Sequence, residues 1–170
     1  MPDKNNNIYL YEALELKNEY QRKINTLENL LPEKTNTGYS GSTYKPEYNV
    51  EKVRGEISSL KTKLMKLNEE IQKTNFEVTV NTCDGEVSIS TLLARRKELD
   101  NEITETKSLL QRSAFSTVTH MEERDIEEKP DLEFDKVYKK LENQREKFRE
   151  FNRKIRKVQY ETTLNFKDEK

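Results

Sequence analysis

From Val50 to Ile71 the apolar residues Val50, Val53, Ile57, Leu60, Leu64, Leu67 and Ile71 recur at alternating spacings of three and four, which predicts a helix with a coiled-coil seam. At 1.5 Å per residue that helix is about 33 Å long, and its stripe needs another helix to cover it. Leu10, Ala13, Leu14, Tyr20, Ile24, Leu27 and Leu31 predict a first helix from about residue 8, stopped by Pro32. Leu92, Leu99, Ile103, Thr106 and Leu110 predict a third, with Ser90 as its N-cap. A fourth is marked by Phe134, Val137, Leu141, Phe148, Phe151, Ile155 and Val158, with Asp131 as N-cap and a break in the stripe at Gln144 or Arg145.

Between the second and third helices the period changes to two. Phe76, Val78 and Val80 alternate with polar residues, Asp84-Gly85 follows, and Val87 and Ile89 resume, which predicts a β-hairpin turning at the Asp-Gly pair. Tyr160 to Phe166 reads as a further strand, and a third strand completing a small sheet suits a hairpin that is marginal alone. An internal repeat links these pieces: IQKTNFEVTV from Ile71 aligns with IRKVQYETTL from Ile155, and the first helix aligns with the third. The expected fold is therefore mainly α, two tandem antiparallel helical hairpins of the coiled-coil or four-helix type, with a β-hairpin and one C-terminal strand at one end. Residues 1–170 form a single elongated domain in this reading, a rod built from repeats at 8–82 and 90–166. The connections at 32–47 and 112–130 exceed the usual helix-to-helix length of about 2–8 residues and are expected to be irregular tip loops.

Composition narrows the class. Charged residues make up 37% of the 170-residue chain and hydrophobic ones 32%, the direction in which long helices depart from ordinary globules. No apolar run is long enough for a membrane span or a signal-peptide core, so a cytoplasmic location is expected. One cysteine and one histidine exclude an internal disulfide and most metal sites built on cysteine or several histidines.

The stretches YEALELKNEYQRKI from Tyr11, IQKTN from Ile71, the Asp84-Gly85 turn, LLARRKEL from Leu92 and QYETTL from Gln159 together resemble the septicolysin-like family of small bacterial coiled-coil proteins. The resemblance runs from about residue 8 to Phe166 and implies two helical hairpins. The family name also implies a haemolysin. Here there is no Trp, and the lone Cys83 sits among Asn81, Thr82 and Asp84, so a Trp-rich membrane-inserting loop beside a cysteine has no counterpart.

Several residues could carry function. Arg96 falls in the seam of the third helix and Lys17 at the equivalent place in the first, where the family pattern favours Arg at both. A cation there needs a carboxylate, and Glu77 or Glu161 could form a buried ion pair with it; an anion site shared by the repeats is the functional alternative. Cys83 could be a redox-sensitive thiol or a small turn residue, and His120 with Glu122, Glu123 and Asp125 a weak cation site or a solvated acidic loop. Tyr39, Tyr44 and Tyr48, interleaved with Gly and Ser, suit a partner-binding loop.

Charge is also uneven. Met121 to Asp135 carries eight acidic residues against Arg124 and Lys129, a net of −6, whereas Lys136 to Val158 carries ten basic residues against Glu142, Glu146 and Glu150, a net of +7. Arg149, Arg153 and Arg156 on this basic helix are candidates for binding nucleic acid or an anionic membrane, or for meeting the acidic surface of another copy.

No catalytic constellation or phosphate-cradling glycine loop can be placed, so the expectation is a non-enzymatic interaction protein with no cofactor and no bound metal. It self-associates through its helices as a homo-oligomer and presents its tip loops to an unknown protein partner. Polyanion binding through the fourth helix is the alternative, and pore formation follows only from the family name.

Overall fold

A computed structural model of the chain describes residues 7–32, 45–82, 85–120 and 124–168. In chain order its elements are β1 (Asn7–Tyr9), α1 (Leu10–Asn29), α2 (Val50–Glu77), β2 (Thr79–Thr82), β3 (Gly85–Ser88), α3 (Ile89–Ser113), β4 (Thr117–His120), β5 (Asp125–Glu128), α4 (Phe134–Glu161) and β6 (Thr163–Asn165). The mainly α class with small antiparallel strand pairs is the fold. Two compact units divide it, one of residues 1–78 and 159–170, the other of residues 79–158.

Local chemistry sets the helix starts. Asn49 accepts from the Lys52 N–H at 3.0 Å and opens α2 where the seam predicts. Ser88 accepts from the Thr91 N–H at 3.1 Å, so Ser88 rather than Ser90 caps α3, and Ile89, expected in the strand, is a buried first residue of the helix. In α4 the Val137 N–H reaches the Glu133 carbonyl at 3.2 Å, so the helix starts two residues later than an Asp131 cap would place it. Gly85 has φ +106°, a conformation that only glycine adopts without strain.

The sheet topology corrects the expected three-stranded sheet. The C-terminal strand β6 does not join the hairpin; it pairs antiparallel with β1, in the register Asn7↔Asn165, Ile8↔Leu164, Tyr9↔Thr163. The hairpin stays two-stranded, with Thr79↔Ser88 and Thr82↔Gly85 at its ends. The segment 112–130, expected to be irregular, holds a second hairpin, β4–β5, running from Thr117↔Glu128 to His120↔Asp125. Its strands are exposed on both faces apart from a half-buried Ile126, so no alternation of apolar and polar residues announces it.

Each repeat is thus strand, helix, helix, strand: β1-α1-α2-β2, then β3-α3-α4-β6. The β1–β6 and β2–β3 pairs each join one half of the chain to the other, and each unit contains one strand from the opposite half, β6 in the first and β2 in the second. In the first unit Leu10, Ala13, Tyr20 and Ile24 of α1, with Ile57, Leu67 and Ile71 of α2, are buried together with Leu164 and Phe166. The second buries Val80, Ile89, Leu92, Leu99, Ile103, Val137, Leu141, Phe151 and Ile155, along with the polar Thr106 and Gln144. Phe134, read as part of the seam, is exposed.

A polar clamp fixes the segment after β6. The Tyr20 hydroxyl, on a buried ring, donates to Asp168 Oδ1 at 2.5 Å, and Lys63 Nζ lies 3.2 Å from the same oxygen. Burial, and then the carboxylate it serves, push the Tyr20 phenol up. The Tyr20 hydrogen bond pulls the Asp168 carboxyl below its ordinary value of 3.8, partial burial opposes it, and Lys63 adds to the pull. A carboxyl lowered by folding stabilises the fold fully above its unfolded value and loses that contribution as pH falls through the folded one. Asp168→Ala should therefore lower stability by about 1 kcal/mol near neutral pH, with the deficit shrinking below about pH 4, as read from urea melts across pH.

Candidate functional site

The outer side of α4 is where the sequence-marked cations meet. At 100° per residue, Val137, Leu141, Gln144, Phe151 and Ile155 share the buried stripe, while Asp135, Tyr138, Glu142, Arg145, Arg149, Arg153 and Arg156 fall along one flank away from it. Arg149, Asn152, Arg153 and Arg156 line a shallow groove of about 340 Å³. Arg96 of α3 points its guanidinium at Asn152 Oδ1 over 3.5 Å, so two predictions separated by some fifty residues converge on one asparagine.

Electrostatically the groove is one-sided. Arg145 is held by Glu142 at 2.6 Å and Lys154 by Glu150 at 2.6 Å, but Arg149, Arg153 and Arg156 form no ion pair among the described residues. An extended anion laid on this flank would meet guanidinium groups spread over about 10 Å of helix. Nearer the start of α4 the same flank turns aromatic, with Phe134 and Tyr138 stacked at 6.0 Å and 14° and both exposed. Beyond them, at the base of the β4–β5 hairpin, Phe115 (78% exposed) and Leu132 border a groove of about 580 Å³.

On the opposite flank Lys136, Lys139, Lys140 and Lys147 surround a groove that also contains Glu102 and Gln144. Gln144 is 7% exposed; its Nε2 donates to Glu102 Oε2 at 3.1 Å, and its Oε1 has no hydrogen-bond partner among the described residues.

Other predicted residues are placed differently. Lys17 is half-buried on α1, and Glu77 and Glu161, at the ends of α2 and α4, are exposed, which puts these carboxylates at the surface and not in a buried seam. A carboxylate in the last turn of a helix keeps its water, and a long cationic stem covers apolar surface without needing a buried partner. Tyr48 is not held out by a loop: its hydroxyl donates to the Leu30 carbonyl. Tyr39, Tyr44, Cys83, Glu122 and Glu123 lie outside the described residues. His120 Nδ1 is 2.8 Å from Asp125 Oδ1 at the end of the hairpin, and no group of three or more possible metal ligands occurs among the described residues. No helix among them is long and apolar enough to cross a membrane.

Sequence reasoning missed Asn152 and Tyr138. The available signal was the 3-4 spacing of Asp135, Tyr138, Glu142, Arg145, Arg149, Asn152 and Arg156, a second seam hidden by its polarity.

The fold is thus two helical hairpins, with β6 contained in the first unit and β2 in the second. A functionally unknown conserved protein from Corynebacterium diphtheriae, known from its crystal structure, is similar in fold, with a TM-score of 0.74 and 23% identity over 94% of this chain and 100% of that one. The chain belongs to a family of unknown function, DUF6847, which matches residues 17–164. No curated protein matches it.

Proposed function

We propose that the protein is a non-enzymatic interaction protein that associates with itself through a helical face and offers the end of its second unit to a protein partner. The observation that supports this is the exposed apolar set at that end, Phe115, Leu132, Phe134 and Tyr138, beside a groove and a hairpin that buries almost nothing. Clustered exposed aromatics of this kind mark contact surfaces. Light scattering coupled to size exclusion tests the self-association: a mass above the monomer at micromolar concentration is expected, and a monomer throughout removes the reading.

A second reading is favoured by one specific feature, the three arginines without carboxylate partners among the described residues. Polyanion binding there would neutralise about three phosphates, so reversing Arg149, Arg153 and Arg156 to Glu should lower the slope of log K against log salt by about 2 for a single-stranded oligonucleotide. Fluorescence anisotropy at several salt concentrations measures it. Binding that is absent in the unaltered protein, or unchanged by the reversal, excludes this use of the flank.

A further inference from the structure

We propose that the self-association surface is the outer flank of α4, and that its occupant is the same flank of a second copy, running antiparallel. The inference rests on the self-association reading above and deepens it. Its basis is that this flank is complementary to itself. When two copies of a helix run antiparallel about the midpoint between Arg145 and Glu146, Asp135 of one lies opposite Arg156 of the other, Tyr138 opposite Arg153, and Glu142 opposite Arg149. At the centre Arg145, held by Glu142 of its own helix, lies near its own counterpart. Each of the three flanking pairs is then a carboxylate with a guanidinium, or an aromatic ring with a guanidinium.

The register is discriminating. Sliding one helix by a heptad in one direction sets Arg149 against Arg149 and Arg145 against Arg153; sliding it in the other sets Glu142 against Glu142. A parallel pair would set every residue against itself. Like charges face to face disfavour the parallel pair and these heptad slides, which is how charged seam positions choose partner and orientation.

Local geometry agrees with this use. Asp135, Tyr138, Arg149, Arg153 and Arg156 are exposed, and Glu142 is half-exposed. The three arginines lack a carboxylate among the described residues, and Glu142 already holds Arg145 with one oxygen while the other can accept from a second guanidinium. The contact is isologous: each pair occurs twice across the two-fold axis, so it closes as a dimer instead of growing into a filament. Because the pairs are charged and near solvent, the dimer is weak and loosens in salt. A dimer also occupies the arginines, so an oligonucleotide and a second copy would compete for them.

The test is sedimentation equilibrium of the full chain at low and high salt, with Glu142→Arg, Arg149→Glu and the two combined. All three changes are on the surface, and circular dichroism checks that helix content is retained. Either single change is expected to weaken the dimer by roughly tenfold or more, since each sets like charges face to face twice. Combined, they restore opposite charges across the axis and should return the dissociation constant to within about threefold of the original. Arg153→Ala should weaken the dimer by roughly threefold or more by removing the ring contact.

A monomer in the unaltered protein at low salt would sink the self-association reading, and this inference with it. A dimer indifferent to both single changes would leave self-association standing and overturn the α4 surface. Loss in the singles without recovery in the combination would overturn the register, and a trimer or larger assembly would overturn the two-fold.

Discussion

Replacing Leu67 or Leu92 with alanine is expected to cost about 2–5 kcal/mol each. Both leucines are at 0% exposure, Leu67 within the α1–α2 hairpin and Leu92 one turn into α3. Truncation removes the transfer free energy of three carbons and leaves a cavity that helices fixed by strand pairs on both sides cannot readily close. For a chain of this size the loss corresponds to a fall in Tm of roughly 5–15 °C. Leu30→Ala supplies the contrast: at 48% exposure it should change stability by no more than about 0.5 kcal/mol. Thermal melts followed by circular dichroism check all three, and equal effects at the exposed and buried leucines would mean that the described core is wrong.

Gln144→Leu is expected to act in the opposite direction, raising stability by about 1–2 kcal/mol. Gln144 occupies a place in the α4 stripe between Leu141 and Phe151, where one amide oxygen is buried without a partner among the described residues. Leaving such an atom unpaired costs about 1–3 kcal/mol, and the bond from its amide nitrogen to an exposed carboxylate returns only part of that. Leucine fills a similar volume, needs no partner and leaves Glu102 hydrated. Gln144→Ala distinguishes packing from polarity, since it removes the same oxygen but opens a hole and should be destabilising. If the leucine variant proves less stable than the parent, the amide is instead holding α3 and α4 in register, the use that single polar residues have in coiled-coil seams.

What the sequence made legible followed from periodicity. Seven evenly spaced apolar residues from Val50 to Ile71 located α2, and the break at Gln144 was visible as a break although not as a buried amide. Alternation located the hairpin, but Phe76 belongs to the last turn of α2, and Ile89 fits both a strand and the first turn of a helix, where only the Ser88 cap decides between them. Strands β1 and β6 are each three residues long, too short to show a period of two, and their pairing joins the two ends of the described chain. The arginines of α4 could be counted in advance. The contact of Arg96 with Asn152 depends on a residue with no pattern of its own, and the exposure of Glu77 and Glu161 is something that spacing along a chain does not report.

The exchange of edge strands has a topological result. Since β1 pairs with β6 just as β2 pairs with β3, two strand pairs close the path through the described residues. A circular permutant that joins the segment after β6 to Asn7 through a short linker and opens between Thr82 and Gly85 keeps every strand pair. Cutting there without joining the ends gives two pieces, each a helical hairpin carrying a strand that belongs in the other's unit, so that neither completes itself and the two complement one another.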